Sequence, residues 1–219
     1  MKTILITGAT SGFGKAIAYK FAQHGYQLIL NGRREERLRA IETELKEQYG
    51  AKVVTLAFDV SDKEAAKNAI QSLPHDFKKI DVLVNNAGLA AGLSTIQEGN
   101  TDDWDLMIDT NVKGLLYVSR LIMPLMIANG SGHIINISSI AGKEVYPKGN
   151  VYCATKFAVD AITKSMRIDM LEQLARGPHV VARERGEVGA CVHDEGRETV
   201  KRVSSASRLR PASLRWRHR

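Results

Sequence analysis

A tyrosine and a lysine stand four residues apart in Tyr152-Cys153-Ala154-Thr155-Lys156. That spacing puts both on one face of a helix. A free phenol titrates near ~10 and exchanges protons poorly at neutral pH. A fixed ammonium beside it favours the phenolate and draws the group toward the range of a working general acid or base. Each tenfold gain in acidity needs about 1.4 kcal/mol of differential stabilisation, which a close cation in a partly dry site can supply. Taken alone, the pair reads more readily as ordinary helix surface. Its weight comes from the chain that precedes it.

Such chemistry needs elements that bring the pair to a reactant. Lys2 to Thr7 is a short β-branched apolar run, followed by Gly8-Ala9-Thr10-Ser11-Gly12-Phe13-Gly14 and by helical periodicity from Lys15 to His24. A strand, a glycine turn and a helix in that order suit a phosphate: glycines allow close backbone approach, and the helix start offers free N–H groups and a positive dipole end. The spacing is Gly-x-x-x-Gly-x-Gly, which differs from the Gly-x-Gly-x-x-Gly of other dinucleotide binders. Tyr26 to Leu30 forms a second strand and ends in Asn31-Gly32-Arg33-Arg34. An NAD site usually places an acid here for the ribose 2′-hydroxyl. Two arginines favour a 2′-phosphate and hence NADP, although Arg34 reads equally as the solvated start of the next helix.

Val53 to Val60 is a third strand with Asp59 at its C-terminal edge. Asp59 is placed either to contact adenine or to help cap the following helix, where Ser61 and Glu64 have capping-box spacing. Ile80 to Gly88 is a fourth strand ending in Asn85-Asn86, of which one can brace the sheet and the other border the cofactor. Leu89 to Gly99 reads as a loop beside the pocket. Thr101-Asp102-Asp103-Trp104 opens a long helix, and Asn111 lies on it among apolar neighbours. A buried amide must be hydrogen-bonded or it costs about 1–3 kcal/mol, so Asn111 is either a satisfied core residue or a water-holding group in a proton relay. His133 to Gly142 is a fifth strand that ends in Ser138-Ser139, 13 residues before Tyr152.

Together these segments resemble the short-chain dehydrogenase/reductase family: Thr7-Gly8-x-x-x-Gly12-x-Gly14, Asn85-Asn86-Ala87-Gly88, Asn111, Ser139 and Tyr152-x-x-x-Lys156 agree in order and spacing over residues 1–174. The resemblance implies an α/β fold with a doubly wound, Rossmann-like parallel sheet, assembled as a homotetramer or homodimer. It implies Tyr152 as general acid/base, Ser139 as the residue orienting the substrate oxygen, Lys156 as the cation that tunes the phenol and holds the nicotinamide ribose, and Asn111 as the holder of a relay water. Gly8, Ala9, Thr10, Ser11, Gly12, Phe13, Arg33, Arg34, Asp59, Val60 and Asn86 would contact NADP, as would Tyr152 and Lys156. Within the family, Asn31-Gly32-Arg33-Arg34, Asp103-Trp104, Met107-Ile108-Asp109-Thr110-Asn111 and Gly149-Asn150-Val151-Tyr152 are similar to NADP-dependent 3-hydroxy acid dehydrogenases. That likeness implies hydride transfer between NADP(H) and a small 3-hydroxy acid or its semialdehyde, of the serine or malonic semialdehyde type.

The remainder of the chain departs from this pattern. The net charge of +7 is unevenly spread: residues 1–174 carry 20 Lys+Arg against 19 Asp+Glu, and residues 175–219 carry 11 against 5. The tail holds ten Arg and a single Lys, Lys201. The expected organisation is therefore an incomplete NADP-binding catalytic domain over 1–174 and a basic, disordered tail over 175–219, a composition shift that resembles a change of reading frame. Residues 179–182 could begin a sixth strand, but the C-terminal strands are expected to be missing or altered. The rival readings are an inactive remnant that at most binds NADP and, less in keeping with the sequence, a basic tail that binds nucleic acid or anions. Cys153 and Cys191 have no metal or disulfide spacing, so no metal is expected. No run of 18 apolar residues suggests a membrane span, the N-terminus lacks a signal-peptide pattern, and the expected location is the cytoplasm.

Overall fold

The apolar β-branched runs become the strands of one parallel sheet. The computed structural model describes residues 1–174 and 179–185, with side chains described through 170. Its strands are β1 (Thr3–Ile6), β2 (Gln27–Gly32), β3 (Val53–Ala57), β4 (Val82–Asn85), β5 (Ser131–Ile137) and β6 (His179–Arg185). Their spatial order is β3-β2-β1-β4-β5-β6, and every pair is parallel. Winding reverses between β1 and β4, so the strand ends there open a crevice, the usual ligand position in such sheets.

Strand burial follows the period of two. Leu5, Ile29, Leu83 and Ile134 face one layer of helices, which holds α3 (Lys63–Gln71), α5 (Leu115–Ala128) and α6 (Asn150–Leu174). Ile4, Ile6, Leu28, Leu30 and Val84 face the other, built from α1 (Gly12–Gln23) and α2 (Glu35–Tyr49). With both faces covered, β1 and β2 are buried at every position, which explains their unbroken apolar runs. Each fully buried Ile or Leu contributes about 1.5–3 kcal/mol. The long apolar helical run Thr101–Ala128 is core as well: its Val118, Ile122 and Met126 are buried against the sheet.

Local caps differ from the sequence expectation at two helix starts. Asp62, rather than Ser61, caps α3 and accepts hydrogen bonds from the Glu64 and Ala65 N–H groups. Asn100, rather than Thr101, caps α4 (Thr101–Ile108) by accepting from Asp102. In both cases the residue one place away reaches the free N–H groups with a better-aimed side chain. Gly50 ends α2 with φ 61°, a left-handed stop that suits glycine.

The sixth strand is present. Its backbone pairs with β5 from Ser131↔His179 to Ile137↔Arg185, so the boundary expected after Leu174 falls within the sheet, and the edge of β5 is covered. The sequence signal was weak because residues 183–185 are Arg-Glu-Arg, a polar end to a strand. No seventh strand occurs among the described residues. Cys191 and most of the basic tail, including the part proposed to bind anions, lie outside them.

Candidate active site

The glycine turn is held open from below. Gly8 has φ +65°, and a Cβ there would sit 2.9 Å from the Ala87 Cα. A Cβ on Gly14 would meet the Gly8 carbonyl and lie 2.5 Å from Asn86 Nδ2. Gly8 therefore needs glycine for backbone freedom and for close packing, and Gly14 for close packing. Asn86 explains the fit: its Nδ2 donates to the Thr7 and Gly8 carbonyls at 2.8 and 3.1 Å. The Thr7 hydroxyl accepts from the Asn86 and Ala87 N–H groups, each at 3.0 Å. β1 and β4 are thereby locked together beneath the turn. Ser11 precedes α1 without a side-chain cap, which leaves N–H groups at the helix start for an anion.

A cleft of about 450 Å³ runs from this turn across the C-terminal ends of the strands. Gly8, Thr10, Ser11, Gly12, Phe13, Asn86, Tyr152 and Lys156 line it, as do Arg33, Arg34, Asp59 and Val60. The structure thus gathers nearly all the nucleotide-contact residues expected from the sequence. Ala9 is the exception. It is fully buried among the residues of α1 and β2, and its N–H donates to the Asn31 carbonyl at 2.8 Å. Its neighbours in sequence face the cleft, so its own position could be settled only in three dimensions.

Two arginines stand at one end of the cleft. Arg33 lies 3.4 Å from Asp59, and Arg34 donates to Thr10 Oγ1 at 3.2 Å. Asp59 also accepts from the Ser61 N–H at 2.9 Å and hydroxyl at 2.7 Å. Burial works to raise the Asp59 carboxyl, but the Ser61 hydrogen bonds and the Arg33 charge outweigh it and hold the group below its ordinary value. Asp59 therefore shapes the turn before α3 and faces Arg33, while Asp62 does the capping.

Lys156 and Tyr152 share one face of α6 at the other end. The Lys156 ammonium lies 5.9 Å from the Tyr152 ring centroid and donates to the Ile137 carbonyl at 3.1 Å. Lys156 is 6% exposed, and burial pushes its ammonium below the ordinary lysine value. Behind it, Asn111 occupies a π-helical turn (Asp109–Gly114) between α4 and α5, an irregularity frequent at functional sites. The Asn111 amide exchanges two 2.8 Å hydrogen bonds with the Leu89 backbone and donates to Thr155 at 3.1 Å. The bracing sequence reading describes both amide N–H groups, and Oδ1 keeps a second lone pair. Asn85 is the sheet brace: it donates to Ser119 at 2.9 Å and Asn136 at 2.8 Å.

Ser139 is half-buried and accepts from the Ala141 N–H at 3.2 Å. Its neighbour Ser138 lines the cleft; Thr110 and Gly88 do so too, and the sequence motifs that contain these three residues assigned none of them a contact. A smaller chamber of about 90 Å³ adjoins the cleft, with Tyr152 and Ala90 common to both. Its lining includes Ser94, Asp103, Trp104, Tyr146 and Lys148. Tyr152 thus stands between a long polar cleft and a compact chamber. Among the described residues no cluster of His, Cys, Asp and Glu could hold a metal.

A parallel doubly wound sheet with a glycine turn at its switch point and a Tyr–Lys pair at the crevice defines a nucleotide-binding oxidoreductase class. The sequence profile of the short chain dehydrogenase family matches residues 2–176, and the chain belongs to that family. It is 47% identical over 167 residues to the NADP-dependent 3-hydroxy acid dehydrogenase YdfG of Salmonella typhi, a match covering 76% of this chain and 66% of the relative. The chain therefore spans slightly under two thirds of that relative's length. The sulfoacetaldehyde reductase 2 of Chromohalobacter salexigens is 45% identical over 168 residues, covering 76% and 66%. Among solved structures, serine dehydrogenase from Escherichia coli superposes with a TM-score of 0.72 at 43% identity, covering 77% of this chain and 76% of that one.

Proposed function

We propose that this chain is an NADP-dependent oxidoreductase acting on a small 3-hydroxy acid or the matching semialdehyde. The observation that carries the reading is the position of Tyr152, backed by Lys156, on the wall shared by the cleft and the chamber. The glycine turn, the uncapped start of α1 and the paired arginines fit a dinucleotide bearing a 2′-phosphate, with Arg33 and Arg34 at the phosphate. When bound, NADP(H) supplies or accepts the hydride.

The residues of the chain hold the reacting oxygen and move its proton. Tyr152 Oη takes the hydroxyl proton during oxidation and returns it during reduction. The Lys156 ammonium stabilises negative charge on that oxygen as the proton leaves. Ser139 accepts from Ala141, so its own O–H remains free to donate to the substrate oxygen. Asn111 keeps the 86–89 segment and α6 in register through Leu89 and Thr155. One lone pair remains on its Oδ1, where it would hold a relay water. The matched NADP-dependent hydroxy acid relative supports the substrate class.

A second reading, nucleotide binding without turnover, is favoured by exposed apolar side chains: Leu93 in the chamber lining is 66% exposed, and Ile96 and Val145, next to lining segments in sequence, are 67% and 77% exposed. Water exclusion is part of such catalysis. NADPH oxidation with malonic semialdehyde separates the two. Turnover should fall by about 10²–10⁴-fold in Tyr152→Phe, with NADPH binding kept. Tight NADPH binding with no turnover by the unaltered chain would leave only the second reading.

A further inference from the structure

The turn before α6 carries a residue that its backbone does not favour. Pro147 and Lys148 form the corner of a turn closed by the Gly149 N–H donating to the Tyr146 carbonyl at 3.1 Å. Lys148 has φ +66°, the one positive φ at a non-glycine among the described residues. The position after proline in such a turn normally takes glycine or asparagine, because a Cβ is crowded there. A lysine at this corner stands against backbone preference, and strain of this kind gathers at ligand-binding sites.

Its surroundings say what it could bind. Lys148 lines the small chamber beside Tyr152 and is the only Lys or Arg in that lining; Asp103 is the only Asp or Glu. Neither forms an ion pair or side-chain hydrogen bond among the described residues. Two residues of opposite charge thus line one chamber without pairing, Asp103 partly buried and Lys148 exposed. Asp103 is fixed on α4, its Oδ2 only 2.8 Å from where a Cβ on Gly92 would be. An anionic group entering the chamber is repelled from the α4 side and attracted to the turn before α6.

We propose that Lys148 is a specificity-determining residue: it grips the anionic group of the substrate at the α6 end of the chamber, so that C3 of a short hydroxy acid lies against Tyr152. This rests on the function proposed above and adds the residue that would read the acid group. The chamber of about 90 Å³ suits a molecule of few heavy atoms, so acid group and reacting carbon are separated by only a bond or two.

The test compares 3-hydroxypropionate with its uncharged amide on the full chain loaded with NADP⁺, by calorimetric titration. The unaltered chain should prefer the acid. Lys148→Gly, which relieves the turn and should fold normally, should weaken acid binding about tenfold, as expected for one lost charged hydrogen bond, and leave amide binding unchanged. Lys148→Arg should restore the acid preference. Equal weakening of acid and amide, or no preference in the unaltered chain, would overturn the proposal. Acid-selective binding that depends on Lys148 but is never followed by turnover would overturn the reaction assigned above and leave this inference standing.

Discussion

Replacing Arg33 by alanine separates phosphate recognition from fold stability. The Arg33 side chain is 66% exposed, and its partner Asp59 is 34% exposed at 3.4 Å. An ion pair of this exposure and length contributes at most about 1 kcal/mol. Asp59 keeps both Ser61 hydrogen bonds after the change, so the turn before α3 should survive. The melting temperature should move by no more than about 2–4 °C for a domain of this size. Cofactor binding should respond differently. A charge-assisted hydrogen bond to phosphate is worth about 1.5–3 kcal/mol, which is roughly a 10- to 150-fold change in affinity. NADPH should therefore bind one to two orders of magnitude more weakly to Arg33→Ala, while NADH, lacking the 2′-phosphate, should change little. The gap between the cofactors should narrow as salt rises, because Arg33 lies in solvent. Titration of nicotinamide fluorescence measures both affinities on one preparation. Equal weakening of NADPH and NADH, or no change in either, would refute the assignment of Arg33 to the 2′-phosphate.

Two other outcomes follow from the geometry. Gly14→Ala places a Cβ against the Gly8 carbonyl and 2.5 Å from Asn86 Nδ2; it should lower stability by about 1–3 kcal/mol and abolish the rise in melting temperature on adding NADPH, and an unaltered rise would show that the turn is not the phosphate site. Lys156 titrates below its ordinary value because it is buried, so between that lowered value and the ordinary lysine value of 10.5 the folded chain binds fewer protons than the unfolded one. Stability should rise with pH across that window, and Lys156→Met should flatten the rise; identical pH slopes in urea unfolding of the two proteins would contradict this.

Local patterns were readable because their causes are local. The apolar runs of β1 and β2, the glycines of the first turn and the four-residue spacing of Tyr152 and Lys156 each depend on neighbours within a turn or a strand. They were sufficient for the fold class, for the family and for most of the cleft lining. Helix starts were misplaced by one residue at Asp62 and Asn100, since adjacent polar residues compete for the same N–H groups. The sixth strand was faint because pairing with β5 depends on the partner edge as much as on residues 179–185.

Contacts between distant parts of the chain settled the rest. Asn85 and Asn86 are chemically identical in sequence, yet one bonds to Ser119 and Asn136 and the other to the carbonyls of residues nearly 80 positions earlier. Ala9 turns into the core while Thr10 faces the cleft. Both N–H groups of the Asn111 amide are taken by Leu89 and Thr155 through a π-helical turn that no periodicity announces. Lys148 and Asp103 meet one chamber only because α4 and the turn before α6 pack around it. The sequence specifies which groups are available and the local backbone that carries them; which cavity each group faces is decided by sheet order and helix packing, because those alone bring residues far apart in the chain to within bonding distance.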